Sequence, residues 1–365
     1  MFILIEKNNF ITAIQTVSRF SPKGSATLPV LSCILIVAGD EGIKFRATNL
    51  EMGIDLPVAG SVKESGVLAI PAHILQQITA SLTGEGSITF EQSGETALVS
   101  FDNTQNIIKT IPYEDFPTLP LPTTPKKQKI SGEKLKLAIE SVSFCASPSV
   151  VRQDLASIFL SLEGGELTAV ATDSFRLAEK RIPLSEKGIN FSLLLPAKNI
   201  TTLLQTLPDD EIDFTFDENQ AAFMWKGSTL ITRLTNASYP DYRQIIPKNT
   251  EAEAILLKKD LELALRHTTI FSDSFQKVKI NFDQKNKKLI ISSQNTTTGS
   301  SKETIPAQIK HSSLEQSFNY RYLQTPLSII KTESVSLSAS GVGQPLIIRG
   351  VGDNSFLYLV MPMNQ

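Results

Sequence analysis

Apolar residues at Phe10, Ala13, Ile14 and Val17 recur at the i, i+3, i+4, i+7 spacing of a helix with one buried face, and predict a helix over residues 6–20. The same stripe returns at Leu135, Ala138, Ile139 and Val142, and again at Leu261, Ala264, Leu265 and Thr268, so that equivalent alanines fall 125 and 126 residues apart. A second helix follows in each unit. PAHILQQITASL (71–82) and PAKNITTLLQTL (196–207) both open on proline, which suits a helix's first turn. The third counterpart, NYRYLQTPLSII (319–330), holds Pro326, which predicts a kink or a late start. Between the helices, CILIVAGDEGIKFRAT, ASIFLSLEGGELTAVAT and VKINFDQKNKKLIISS alternate apolar and polar positions around turn residues and read as hairpins. Each unit closes on a similar pair, Phe116-Pro117, Tyr239-Pro240 and Met361-Pro362. A period of about 120 residues is too long for a solenoid and indicates three copies of one domain.

The proline-rich run TLPLPTTPKKQK (118–129) disfavours helix and central strand and reads as an extended spacer, and IIPKNTEAEA (245–254) is a softer second link. The spacing predicts domains over 1–122, 123–248 and 249–365. Each holds two amphipathic helices and about eight strands, an α+β architecture of antiparallel sheets with the helices on one face.

Composition narrows the class. The 365 residues are 41% hydrophobic and 20% charged, enough for substantial cores and too many for one ordinary domain. No basic leader and no apolar run of membrane-spanning length is visible, so a soluble, cytoplasmic chain is expected. Cys33 and Cys145 are far apart and the histidines His73, His267 and His311 are scattered, so no metal or other cofactor is expected. Phosphate-binding loops, the nucleophile elbow and the zinc-protease motif are all missing, and Gly341-Val342-Gly343 reads as a turn. A small-molecule hydrolase, with Asp173 as its carboxylate, is the alternative function; a turn-stabilising Asp is the simpler reading.

Net charge is −2, yet it is unevenly spread. The six candidate helices carry five more basic than acidic residues and the remainder seven more acidic than basic. Solvated helix faces often carry such charge, so the pattern alone does not define a partner.

Three short strings do. Thr172-Asp173-Ser174-Phe175-Arg176-Leu177, the run SYPDYRQIIP (238–247) and the closing YLVMPM (358–363) resemble, in order and spacing, the bacterial DNA polymerase III beta subunit family, the sliding clamps. Ser174-Phe175 departs from the Gly-His frequent in that family, and the chain ends Asn364-Gln365 where some relatives carry a basic or apolar pair.

The resemblance implies a non-catalytic processivity factor: a head-to-tail homodimer whose six domains close a ring around duplex DNA, with the helices lining the hole. It implies no cofactor and no membrane. Modest positive potential suits sequence-independent sliding, and negative charge elsewhere opposes binding outside the hole. Lys23, His73, Arg152, Lys198 and Arg266 are the implied DNA-facing residues. Ile107 and Ile108 in a domain 1 edge strand, with Ile270 and Phe271 in domain 3, are the implied dimer contacts; all four also read as ordinary core. The polymerase III catalytic subunit, the clamp loader, other polymerases and repair proteins would insert a peptide with Leu and Phe anchors. Its pocket, between domains 2 and 3, would be formed by Leu155, Thr172, Phe175, Arg176, Leu177, Pro240, Arg243, Ile245, Val342, Leu359, Met361, Pro362 and Met363. A small apolar pocket with adaptable methionines is sensible chemistry for several partners.

Overall fold

A computed structural model describes residues 1–22, 28–123, 127–184 and 188–363. The chain forms two compact units, one of Met1–Lys136 with Lys198–Asn236, the other of Leu137–Ala197 with the residues from Ala237 onward. All the strand pairs among the described residues are antiparallel.

In the first unit, a five-stranded sheet runs in the order 60–64, 2–6, 87–93, 96–101, 104–109, leaving Thr104–Lys109 as an edge. An eight-stranded sheet joins strands from two repeats, because Ser228–Arg233 pairs with Met52–Val58 along Thr229↔Asp55 to Thr232↔Met52. Helix α1 (Lys7–Val17) buries Phe10, Ala13, Ile14 and Val17, the residues of the stripe. Its Phe10 ring lies 5.6 Å from Phe90 and 6.4 Å from Phe45, tying the helix to strands of both sheets. Helix α2 (Ala72–Ser81) packs on α1. Pro71 stands one residue before α2, ending a strand, and is not part of the helix's first turn. Helix α3 (Gly132–Ser143) carries the second stripe, and α4 (Ala197–Thr206) again begins just after a strand-ending proline, Pro196.

In the second unit a nine-stranded sheet crosses the other repeat junction, with Arg176–Pro183 paired to Phe356–Val360. A four-stranded sheet runs Gly299–Pro306, Lys288–Asn295, Lys277–Asp283, Leu314–Asn319. Helix α5 (Lys258–Thr269) has Asp260 in its first turn and Arg266 and His267 in its last, matching the helix dipole, and packs on the strands Gly299–Pro306 and Lys288–Asn295. Helix α6 (Tyr320–Gln324) is short. It neither kinks nor starts late: it ends before Pro326, which lacks an amide hydrogen, and continues as a 3-10 turn over Thr325–Ser328.

The hairpins follow their turn chemistry. Glu163 pairs with Glu166 around Gly164 (φ 60°) and Gly165 (φ 87°), the left-handed pair a two-residue turn requires. No helix among the described residues is long and apolar enough to cross a membrane.

Candidate functional site: the Thr172–Leu177 turn and the last strand

Strand Glu166–Thr172 ends where Asp173 turns the chain, and strand Arg176–Pro183 returns along it. Asp173 accepts hydrogen bonds from the Phe175 and Arg176 amides at 3.0 Å each and from Arg176 Nε at 2.9 Å. Thr172 donates its hydroxyl to the Arg176 carbonyl at 2.7 Å and accepts from the Ser174 amide at 3.2 Å. Asp173 is thus consumed by the turn. Ser174 sits at φ 76°, left-handed backbone that glycine adopts more easily.

The turn pushes Phe175 outward, 62% exposed, while Leu177 points into the core. Arg176 lies with its guanidinium 4.6 Å from the Tyr322 ring centre and 5.8 Å from that of Phe144, a cation held between aromatic faces and Asp173. The end of the chain is attached to this turn: Leu177 pairs with Leu359, the Met361 amide donates to the Phe175 carbonyl at 2.8 Å, and the Met363 amide donates to Ser317 at 2.8 Å. Beneath lies an apolar cluster of Val170, Leu177, Tyr242, Ile347, Leu357 and Leu359, with Met361 packed on it.

Leu177 and Leu359 are therefore floor and Leu155 and Thr172 are likewise buried, whereas Phe175, Ile245 and Val342 present exposed apolar surface and Met361, Pro362 and Met363 are half-buried. Pro240 and Arg243 belong to a neighbouring cleft of about 630 Å³, also lined by Phe159, Tyr239 and Asn190. Phe159 and Tyr239 stack with centres 5.2 Å apart. Tyr242 donates its hydroxyl to buried Glu179 at 2.7 Å, and burial together with that bond pushes the phenol up to about 12. Phe144, Phe159 and Tyr322 were missed at the sequence level. Phe144 and Phe159 lie in the second repeat and Tyr322 in the third, outside any motif, and only the fold brings Phe144 and Tyr322 onto Arg176.

The other predicted residues divide unevenly. Lys23 lies outside the described residues, as do Asn364 and Gln365. Arg152 is held by Asp154 through bonds of 3.0 and 2.6 Å, and Lys198 pairs with Glu51 at 3.2 Å; both cations remain about 60% exposed. Arg266 is exposed and has no ion pair among the described residues. His73 lines a groove between α2 and the edge strand Thr104–Lys109 with Ile107, Ile108 and Lys109, grouping it with the predicted dimer contacts. Ile107 and Ile108 differ in exposure. Side chains alternate along a strand, so Ile107 is 76% exposed while Ile108 is buried in its own sheet at 7%. Ile270 is 71% exposed and Phe271 half-buried. Lysines without an ion pair among the described residues also lie on the four-stranded sheet, beside the net positive charge of the helices.

A chain of three homologous α+β repeats, each with two helices and with antiparallel sheets continued across the repeat junctions, defines the DNA-clamp class of fold. Sequence models for the N-terminal, central and C-terminal domains of the DNA polymerase III beta subunit match residues 1–120, 129–241 and 243–364. The chain belongs to the DNA polymerase III beta subunit family, whose members are sliding clamps, non-catalytic processivity factors of that polymerase. It is 26% identical to the beta sliding clamps of Synechococcus elongatus, over 372 residues, and Staphylococcus aureus, over 376, each alignment covering all of this chain and 99% of the relative. Among solved structures, the Bacillus subtilis clamp superposes with a TM-score of 0.94 at 24% identity, covering 100% of this chain and 99% of that one. A Pseudomonas aeruginosa clamp bound to griselimycin gives 0.94 at 24% with both chains fully covered, and the Thermotoga maritima beta subunit 0.93 at 21%, with 100% and 99% covered. Family membership sets aside the hydrolase alternative.

Proposed function

We propose that two copies of this chain close head to tail into a ring around duplex DNA in the cytoplasm and slide on it without sequence preference. The ring tethers the polymerase III catalytic subunit, the clamp loader, other polymerases and repair proteins through a peptide groove at the Thr172–Leu177 turn. The observation that carries the groove is the union of that turn with the chain's last strand. A fully satisfied polar turn holds Phe175 out beside half-buried Met361, Pro362 and Met363, leaving apolar surface that soluble proteins otherwise cover.

The dimer reading draws support from two exposed apolar residues, each next to unpaired backbone or a helix end. Ile107 is on an edge strand, a liability unless another chain covers it, and Ile270 caps α5. A head-to-tail contact is heterologous and closes only if the arcs complete a circle. Arg266, with Arg152 and Lys198, would face phosphate. The acids beside Arg152 and Lys198 are no obstacle, because exposed ion pairs are weak and phosphate competes for the same cation.

Retention on DNA tests the ring. After loading onto a closed plasmid, in salt high enough to screen phosphate contacts, the protein should co-elute with the circle and be lost when the plasmid is cut. Equal loss from circle and linear forms would refute encirclement.

A further inference from the structure

Four lysines lie on one side of the four-stranded sheet of the second unit, and two more on the hairpin beside it. Lys277, Lys279, Lys288 and Lys302 occupy positions that alternate with buried Val278, Ile280, Leu289 and Ile305, so all four point away from the face that carries α5. Lys279, Ser292 and Lys302 form one row across three strands. Lys285 and Lys287 extend the set on the exposed hairpin Gln284–Lys287. Two acids stand on this side: Asp283, which accepts from Asn286 and lies opposite Lys288, keeps its charge near that lysine, and Glu315 accepts from Lys279 at 2.8 Å and from Asn281 at 3.0 Å. Lys277, Lys285, Lys287, Lys288 and Lys302 have no ion pair among the described residues, in a chain whose net charge is −2.

We propose that this sheet face is a second, sequence-independent binding surface for the phosphate backbone of duplex DNA, separate from the helix faces assigned to the hole. Strand geometry puts Lys277 and Lys279 about 7 Å apart along a strand, and Lys279 and Lys302 about 10 Å apart across two strand spacings. Phosphates of one DNA strand follow one another at comparable distances, one per about 3.4 Å of axis. The composition selects nucleic acid over an acidic protein. Protein interfaces are depleted in lysine and anchored by aromatics and arginine, and this face with its hairpin has six lysines, neither of those anchors, and only half-buried Ile290 as apolar surface. Among the described residues no ring stands on these strand positions, exposed Phe275 lying in the turn before Lys277, which favours duplex over single strand. Asn281, Ser292, Gln294, Ser300 and Thr304 supply neutral hydrogen-bonding groups between the cations.

The test uses the full chain and a small, covalently closed duplex circle without clamp loader. Binding is measured by fluorescence anisotropy between 50 and 200 mM salt. A threaded ring resists salt and surface binding does not, so failure of this proposal and failure of the ring are read separately. The wild type is expected to bind at low salt and to lose affinity steeply as salt rises. Replacing Lys285, Lys287, Lys288 and Lys302 together by Gln should flatten the log–log salt slope by about 3.6, at about 0.9 per phosphate contact, whereas Lys→Arg at the same four positions should preserve it. All four are exposed, so both variants should melt with the wild type. No low-salt binding by the wild type, or a Gln variant that binds as the wild type does, overturns the proposal. Tighter binding of poly-glutamate than of DNA at equal charge also overturns it, in favour of an acidic protein partner.

Discussion

Replacing Asp173 with alanine removes the acceptor for two backbone amides and for the Arg176 guanidinium together. Because the carboxylate is about 10% exposed, water cannot fully replace those bonds. The expected cost is about 2–3 kcal/mol, read as a lower urea midpoint, with Asp173→Asn less damaging because one oxygen still accepts. A catalytic carboxylate would show the opposite profile, dispensable for folding. Ser174→Gly should raise the melting temperature, since a left-handed L-residue costs about 1–2 kcal/mol and only part of that is returned as unfolded-state entropy. A fall would mean that the Ser174 side chain does something the turn geometry does not reveal. The thiols are legible from sequence as isolated core residues and are found buried. Burial pushes Cys33 up to about 11 and Cys145 well above the usual thiol range, so neither should react with a thiol reagent at pH 8 until the chain unfolds.

Among the elements, the helix stripes were readable because a helix buries one face whatever it packs on, and Phe10, Ala13, Ile14 and Val17 are buried as their spacing demands. Pro326 predicts a kink or a late start, and the helix instead ends before it. Whether a proline kinks, delays or ends a helix depends on what its neighbours do with the freed carbonyl, which is not a local property. Ile107 and Ile108 could not be separated by sequence for a similar reason: the phase of a strand is set by its partners, here Ala97↔Ile108 and Leu98↔Ile107. That phase gives a sharp expectation. Ile107→Glu should yield folded monomers by sedimentation with an unchanged melting temperature, while Ile108→Glu should lower the melting temperature sharply through a buried, unpaired charge. Dimers of normal mass from the first variant would remove Ile107 from the interface.

At the scale of the whole molecule, the threefold repeat and the motifs near 172, 240 and 361 were legible because spacing survives where identity does not. The aromatic bed of Arg176 was not, since Phe144 and Tyr322 are 178 residues apart in sequence. Deleting residues 361–365 takes away the half-buried Met361-Pro362-Met363 wall while leaving the strand Phe356–Val360. Affinity for a fluorescent Gln-Leu-x-Leu-Phe peptide should then fall at least about thirtyfold, the ~2 kcal/mol of a hot-spot truncation, with dimer mass and melting temperature retained. Unaltered affinity in a folded dimer would sink the groove; a collapse in melting temperature would show that the tail is structural strand.

The sheet that joins the first repeat to the second has a consequence for how the protein is made. When strand Met52–Val58 leaves the ribosome, its partner Ser228–Arg233 is about 170 residues from being synthesised, roughly 10–30 s at bacterial rates. Strand Arg176–Pro183 waits in the same way for Phe356–Val360, again about 170 residues further on. Through that interval each nascent sheet has an open edge, so a stalled or truncated translation product carries an adhesive strand that the finished chain hides. Ribosome-bound chaperones should therefore be found on this nascent chain between the two strands of each pair, and released as the second one emerges.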